Sequence, residues 1–136
     1  MAKPLVFKTT HRIAFSDLDL YSHVSTARYA DYFIDHRMQG VREHIGWNPE
    51  TLATAPFLVW VRRLEIDFVR PASHGQEITI TSFVREFLGP DAIVTCTMSD
   101  AAGKDIALCL MIVAHIDRQT MRPSDWPAER AALFFE

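Results

Sequence analysis

Residues 15–37 read FSDLDLYSHVSTARYADYFIDHR. Asp17, Asp19 and His23 crowd the first half without a helical or strand period, so that half reads as a loop. Ser25 or Thr26 then offers an N-cap hydroxyl to the unpaired first amides of a helix. From there Ala30, Phe33, Ile34, Arg37/Met38, Val41 and Ile45 recur at helical spacing, and Tyr29 and Tyr32 widen the apolar face. The pattern predicts a helix over 26–39, broken at Gly40 and Gly46 with a short helical turn between them. A helix this apolar over its first turns is expected to be surrounded by protein.

The flanking sequence is strand-like. LVFKTTHRIAF (5–15) predicts a strand over 6–15. In FLVWVRRLEIDFVR (57–70), Leu64, Ile66 and Phe68 alternate with Glu65, Asp67 and Val69, and Pro71 ends the run. The ASHG turn follows, with Gly75 free to take positive φ. Further strands are expected over 76–87, 91–99 and 104–116, then two prolines and a short helical patch in the tail. Short turns between successive strands favour antiparallel pairing. A helix of this kind must bury against the sheet. The expected architecture is α+β, with five antiparallel strands wrapped around one long central helix in a single domain, 1–136. Such a small domain is expected to cover its remaining apolar surface by forming a homodimer or homotetramer.

Bulk properties exclude several functions. The formal net charge is −3, which leaves no broad basic surface for nucleic acid or an anionic membrane. Hydrophobic residues make up 49%, which argues against disorder. The N-terminal stretch lacks a long apolar run, so no secretory signal is expected, and no stretch of the chain approaches the roughly 18 apolar residues of a membrane span. Cys96 and Cys109 have no metal-site spacing. They are expected to be reduced, buried and facing each other across a hairpin, in a cytoplasmic protein. His23 with Asp17 and Asp19 resembles a ligand set, but Asp35 and His36 sit at awkward spacing to complete it, so neither metal nor other cofactor is expected.

The stretch at 15–37 resembles the signature of hotdog-fold acyl-CoA thioesterases of the 4-hydroxybenzoyl-CoA thioesterase type: D-x-D, a short spacer, H-V-N-N, then A-R-Y and an aromatic-rich helix. LEIDFVRPASHGQEITI (64–80) resembles that family's strand, R-P turn, Gly and strand, and DRQTMRPSDWP (117–127) resembles its tail. The resemblance implies a hotdog fold and hydrolysis of an acyl-CoA to a free carboxylic acid and CoA. It implies Asp19 as nucleophile or general base, His23 as an assisting residue, and the helix-start amide near Thr26 as oxyanion donor. Asp17 is expected to shape the loop. Tyr21 replaces a small residue or Asn and is expected to narrow the pocket entrance, while Ser25-Thr26 replace Asn-Asn. FLGPD (87–91) carries no basic cluster for a CoA phosphate.

Thioester hydrolysis needs an attacking oxygen, an oxyanion donor and an exit for the thiolate. A carboxylate supplies the first, and the free amides of a helix N-terminus supply the second. Tyr21, Ser25, Tyr29 and Phe33 are candidate substrate contacts. Among Arg62, Arg63, Arg70 and Arg85 at least one is a candidate for CoA phosphate, with Arg85 chosen as the substrate-binding residue. Trp47, Trp60 and Trp126 are read as packing residues. Two alternatives stay open. One is a non-catalytic acyl-thioester-binding module. The other is a hotdog enoyl or hydroxyacyl hydratase, whose D-x₄-H spacing neither Asp17 nor Asp19 makes with His23.

Overall fold

The computed structural model describes residues 2–136. The chain begins with β1 (Phe7–Arg12), a single 3-10 turn at Phe15–Asp17, and helix α1 (Thr26–Gly40). A π-helical turn at Val41–Ile45 and helix α2 (Pro49–Ala53) follow. Strands β2 (Phe57–Phe68), β3 (Glu77–Leu88), β4 (Asp91–Ser99) and β5 (Asp105–Asp117) come next, then a two-residue strand β6 (Arg122–Pro123) and helix α3 (Ala128–Ala131). The main sheet is antiparallel throughout, in the order β1-β3-β4-β5-β2, with β6 added to β5.

That order explains why the long helix crosses the sheet. β1 and β2 follow each other in sequence but occupy opposite edges. The chain must cross from one edge to the other, and α1 lies within that crossing with Phe33 fully buried. Phe7, Ile78, Ile80, Met98 and Ile106 complete the centre of the core. The fold is the expected curled five-stranded sheet with one long helix, and α1 falls within one residue of the predicted bounds.

The structure differs from the sequence reading in three ways. First, β2 and β3 do not form a hairpin. β2 pairs with β5, and β3 pairs with β1 and β4. The segment between β2 and β3 runs instead beneath the 15–25 loop, where Ser73 bridges His23 and the Ala72 carbonyl accepts from Val24 N at 2.7 Å. Second, α1 is not enclosed on all sides in the single chain. Arg28, Asp31, Asp35 and Gln39 recur every three or four residues and form an exposed polar stripe. Third, α2 was not anticipated. Its start signal is Asn48-Pro49: Asn48 Oδ1 accepts from Thr51 N at 2.9 Å and proline takes the first helical position.

Gly40 is a packing requirement. A Cβ there would lie 2.2–2.8 Å from ring atoms of the buried Phe7. Replacement by alanine drives a methyl group into that ring, so Gly40→Ala should cost about 1–3 kcal/mol by denaturant unfolding despite alanine's better helix propensity. Cys96 and Cys109 are direct cross-strand partners, both buried and both free thiols.

Candidate active site

The acidic loop is a small hydrogen-bonded structure. Asp19 N donates to His23 O at 2.8 Å and Ser22 N donates to Asp19 O at 3.2 Å, with Ser22 in the left-handed region at φ 62°. Leu18 bridges Val24, and Ser25 N donates to the Asp17 carbonyl at 2.9 Å. These bonds fold the chain back on itself between the 3-10 turn and α1. Asp19, Tyr21 and His23 therefore occupy one tight turn, and Ser25 and Thr26 sit where it feeds the helix.

The geometry divides the two carboxylates. Asp17 is heavily engaged: its Oδ2 accepts from the Tyr32 hydroxyl and from Ala14 N at 3.2 Å, and its Oδ1 lies 3.8 Å from Arg28 Nε. It ties the loop to the first turns of α1. The sequence does not single out Tyr32, because its spacing only marks it as part of the apolar face. Burial and the Asp17 carboxylate push its phenol well above the usual range. Asp19 is exposed, and both hydrogen bonds to its carboxylate fall on Oδ1, from Tyr21 N at 2.8 Å and His23 N at 3.4 Å. No hydrogen bond engages its Oδ2 among the described residues. One oxygen fixes the side chain and the other remains open.

The start of α1 also departs from expectation. Ser25 is the N-cap, but its hydroxyl makes no capping hydrogen bond. Its carbonyl accepts from Arg28 N at 3.0 Å. The first turn therefore keeps amides that no side chain satisfies, and they carry the positive end of a 15-residue helix dipole.

The other candidates scatter. Tyr29 is buried, takes an amide hydrogen from Ala72 at 3.3 Å and meets Phe68 edge to face. Burial raises its phenol pKa, and the nearby Asp19 charge adds to that rise. Phe33 lies in the core. Tyr21 projects into solvent at 79% exposure beside Leu20 at 99%, so in the single chain it narrows no entrance. Arg85 lies at the β3 bulge beside Glu86, roughly 26 Å along the strand from Glu77. Arg62 pairs with Asp91 and Arg63 with Glu65. Arg70 has no carboxylate partner among the described residues. It stands just before Ala72 and Ser73, the residues that touch the acidic loop. Among the described residues no group of three His, Cys, Asp or Glu side chains is placed to hold a metal ion.

A separate apolar cavity of about 310 Å³ lies behind the second half of α1, bounded by Met38, Val59, Val94, Met111 and Trp126 among others. None of the loop residues borders it, nor does Tyr29 or Phe33.

Comparison with known proteins completes this picture. The family model of the thioesterase-like superfamily matches residues 13–134. The chain belongs to that superfamily. It is 27% identical over 106 residues to the long-chain acyl-CoA thioesterase FadM of Escherichia coli strain K12, covering 77% of this chain and 79% of FadM. Solved hotdog thioesterase structures share the fold. A probable thioesterase from Escherichia coli superposes with TM-score 0.85 at 22% identity, covering 96% of this chain and 99% of that one. A Staphylococcus aureus protein solved in complex with CoA gives TM-score 0.86 at 15% identity, covering 98% and 84%. The matched region spans the acidic loop, α1 and strands β2 to β6, so this superfamily member carries its candidate site inside the matched region.

Proposed function

We propose that this protein hydrolyses acyl-CoA thioesters to a free carboxylic acid and CoA, with Asp19 supplying or activating the attacking oxygen. One observation carries the assignment to Asp19. An exposed carboxylate, pinned through one oxygen and open at the other, shares a hydrogen-bonded loop with the uncapped start of a 15-residue helix. The attacking oxygen is that of Asp19 itself or of a water it deprotonates. It adds to the thioester carbonyl, and the negative charge that forms on the carbonyl oxygen is received by an amide near Thr26. Collapse breaks the C–S bond and CoA leaves as the thiolate. If Asp19 attacks directly, water then hydrolyses the resulting anhydride. His23 stands in the same turn to orient substrate or assist proton movement. Membership of the superfamily and the likeness to FadM support the substrate class.

Arg70 is the arginine best placed to meet a CoA phosphate, because it has no carboxylate partner among the described residues and adjoins the loop, whereas Arg85 lies far along β3 from it. A homodimer belongs to the same reading. β2 is an edge strand with Trp60, Val61 and Phe68 exposed, and Leu20 and Tyr21 are bare beside the site. No helix among the described residues is long and apolar enough to cross a membrane. With two free thiols, we place the protein in the cytoplasm.

A thiol-trapping assay over acyl-CoAs of graded chain length tests the reaction. Catalytic release of CoA thiol from at least one of them is expected. Tight binding of the whole panel without thiol release would replace the enzyme with a binding module. Loss of enoyl absorbance from crotonyl-CoA without thiol release would make it a hydratase.

A further inference from the structure

The apolar cavity behind α1 contains a feature that thioester cleavage at Asp19 does not use. Arg37 borders the cavity, is only 9% exposed and takes part in no ion pair among the described residues. Its Nη1 donates to Ser82 Oγ at 3.0 Å, and its guanidinium carbon sits 4.3 Å above the Phe7 ring centroid. A buried guanidinium without an anion is costly to keep charged, and burial lowers its pKa to about 10. Arg42 also borders the cavity, while neither aspartate nor glutamate does. The remaining walls are almost wholly aliphatic and aromatic, with Leu52, Val59, Met111 and Val113 among them.

We propose that this cavity binds an aliphatic carboxylate, with the carboxylate on Arg37 and the chain against the apolar walls. The planar fork of a guanidinium matches a carboxylate through paired hydrogen bonds, which a hydroxyl or ester cannot reproduce. The volume of about 310 Å³ is twice the roughly 150 Å³ that accepts benzene, giving room for a chain on the order of ten carbons. Two sources share this chemistry: a free acid such as the product of hydrolysis, and the distal carboxylate of a dicarboxylic acyl-CoA. The binding claim stands apart from the thioesterase reading; only the choice of source rests on it.

Trp47 and Trp126 border the cavity, so intrinsic fluorescence reports its occupancy. Wild-type protein is titrated with decanoate and with decanol near neutral pH. Decanoate should bind about tenfold or more tightly than decanol. Arg37→Met should erase that preference, Arg37→Lys should keep part of it, and Val113→Phe should weaken both ligands. Equal affinity for acid and alcohol in the wild-type protein overturns the proposal without recourse to any variant. The source is then read from kinetics. Arg37-dependent inhibition by decanoate identifies the free acid. An Arg37-dependent lower KM for decanedioyl-CoA than for decanoyl-CoA identifies the substrate's distal carboxylate. Selective decanoate binding without any thiol release would leave this inference standing and sink the thioesterase reading; hydrolysis without selectivity would do the reverse.

Discussion

Acidification from pH 7 to pH 4 is expected to remove about 3 kcal/mol of folding stability through His36 alone. His36 is fully buried on α1. Its Nδ1 lies 2.6 Å from Thr9 Oγ1 and its Nε2 lies 2.6 Å from Ser82 Oγ. Thr9 also meets His11 at 3.0 Å, and Ser82 takes the Arg37 donor, so one polar chain joins β1, α1 and β3 through the core. Burial, then the adjacent positive charge of Arg37, then His11, lower the His36 pKa from 6.5 to about 4. In the unfolded chain the ring takes a proton near 6.5; in the folded protein it resists protonation until about 4. Above 6.5 both states are neutral and the contribution is fully present. Below 6.5 the unfolded state gains a proton that the folded state refuses, and stability falls until both are protonated. Each unit of that window is worth about 1.4 kcal/mol. Denaturant unfolding at pH 7 and pH 4 measures the fall. His36→Gln should be less stable at pH 7 yet lose about 3 kcal/mol less on acidification than the wild type. An equal acid loss in both proteins would show that His36 does not control it.

This polar chain marks the boundary of what the sequence discloses. The spacing of Phe33, Ile34 and Arg37/Met38 placed α1 within a residue, because helical period is a local property. It could not show that Arg37 is buried without a carboxylate, since that depends on Ser82 and Phe7 arriving from β3 and β1. Strand runs were equally legible, but their partners were not. Adjacent strands joined by ASHG suggested a hairpin, whereas the helical crossing forces β2 to the far edge and frees the 69–76 segment to brace the acidic loop. The division between Asp17 and Asp19 came from the family resemblance. Its physical basis is visible only with Tyr32 and Ala14 on one carboxylate and the turn's own amides on the other. The hydroxyl cap anticipated at Ser25 is absent, and that absence leaves the helix-start amides available. Residue type alone points to Arg85, and register sets it far along β3 from the loop.

Asp19→Asn should lower kcat/KM by about a thousandfold, within the range of 10²–10⁴ expected for loss of a positioned base and larger if the carboxylate attacks directly. The amide retains an oxygen in the place of Oδ1, so the Tyr21 and His23 amides keep an acceptor and the turn keeps its shape. An amide neither deprotonates water nor serves as an effective nucleophile. The loss should therefore fall on kcat while acyl-CoA binding persists. Asp17→Asn should behave differently. It weakens the anchor to Tyr32 and Arg28, so its principal cost is stability of the loop and helix start, on the order of 1–2 kcal/mol. The contrast between the two variants separates chemistry from architecture within one loop.

The most direct measurement is the initial rate of thiol release by wild type and Asp19→Asn, on the acyl-CoA the wild type turns over best, with matched circular dichroism and unfolding midpoints. A folded variant slowed by about a thousandfold is the predicted result. A folded Asp19→Asn protein that releases thiol at the wild-type rate would contradict the assignment of the chemistry to this loop.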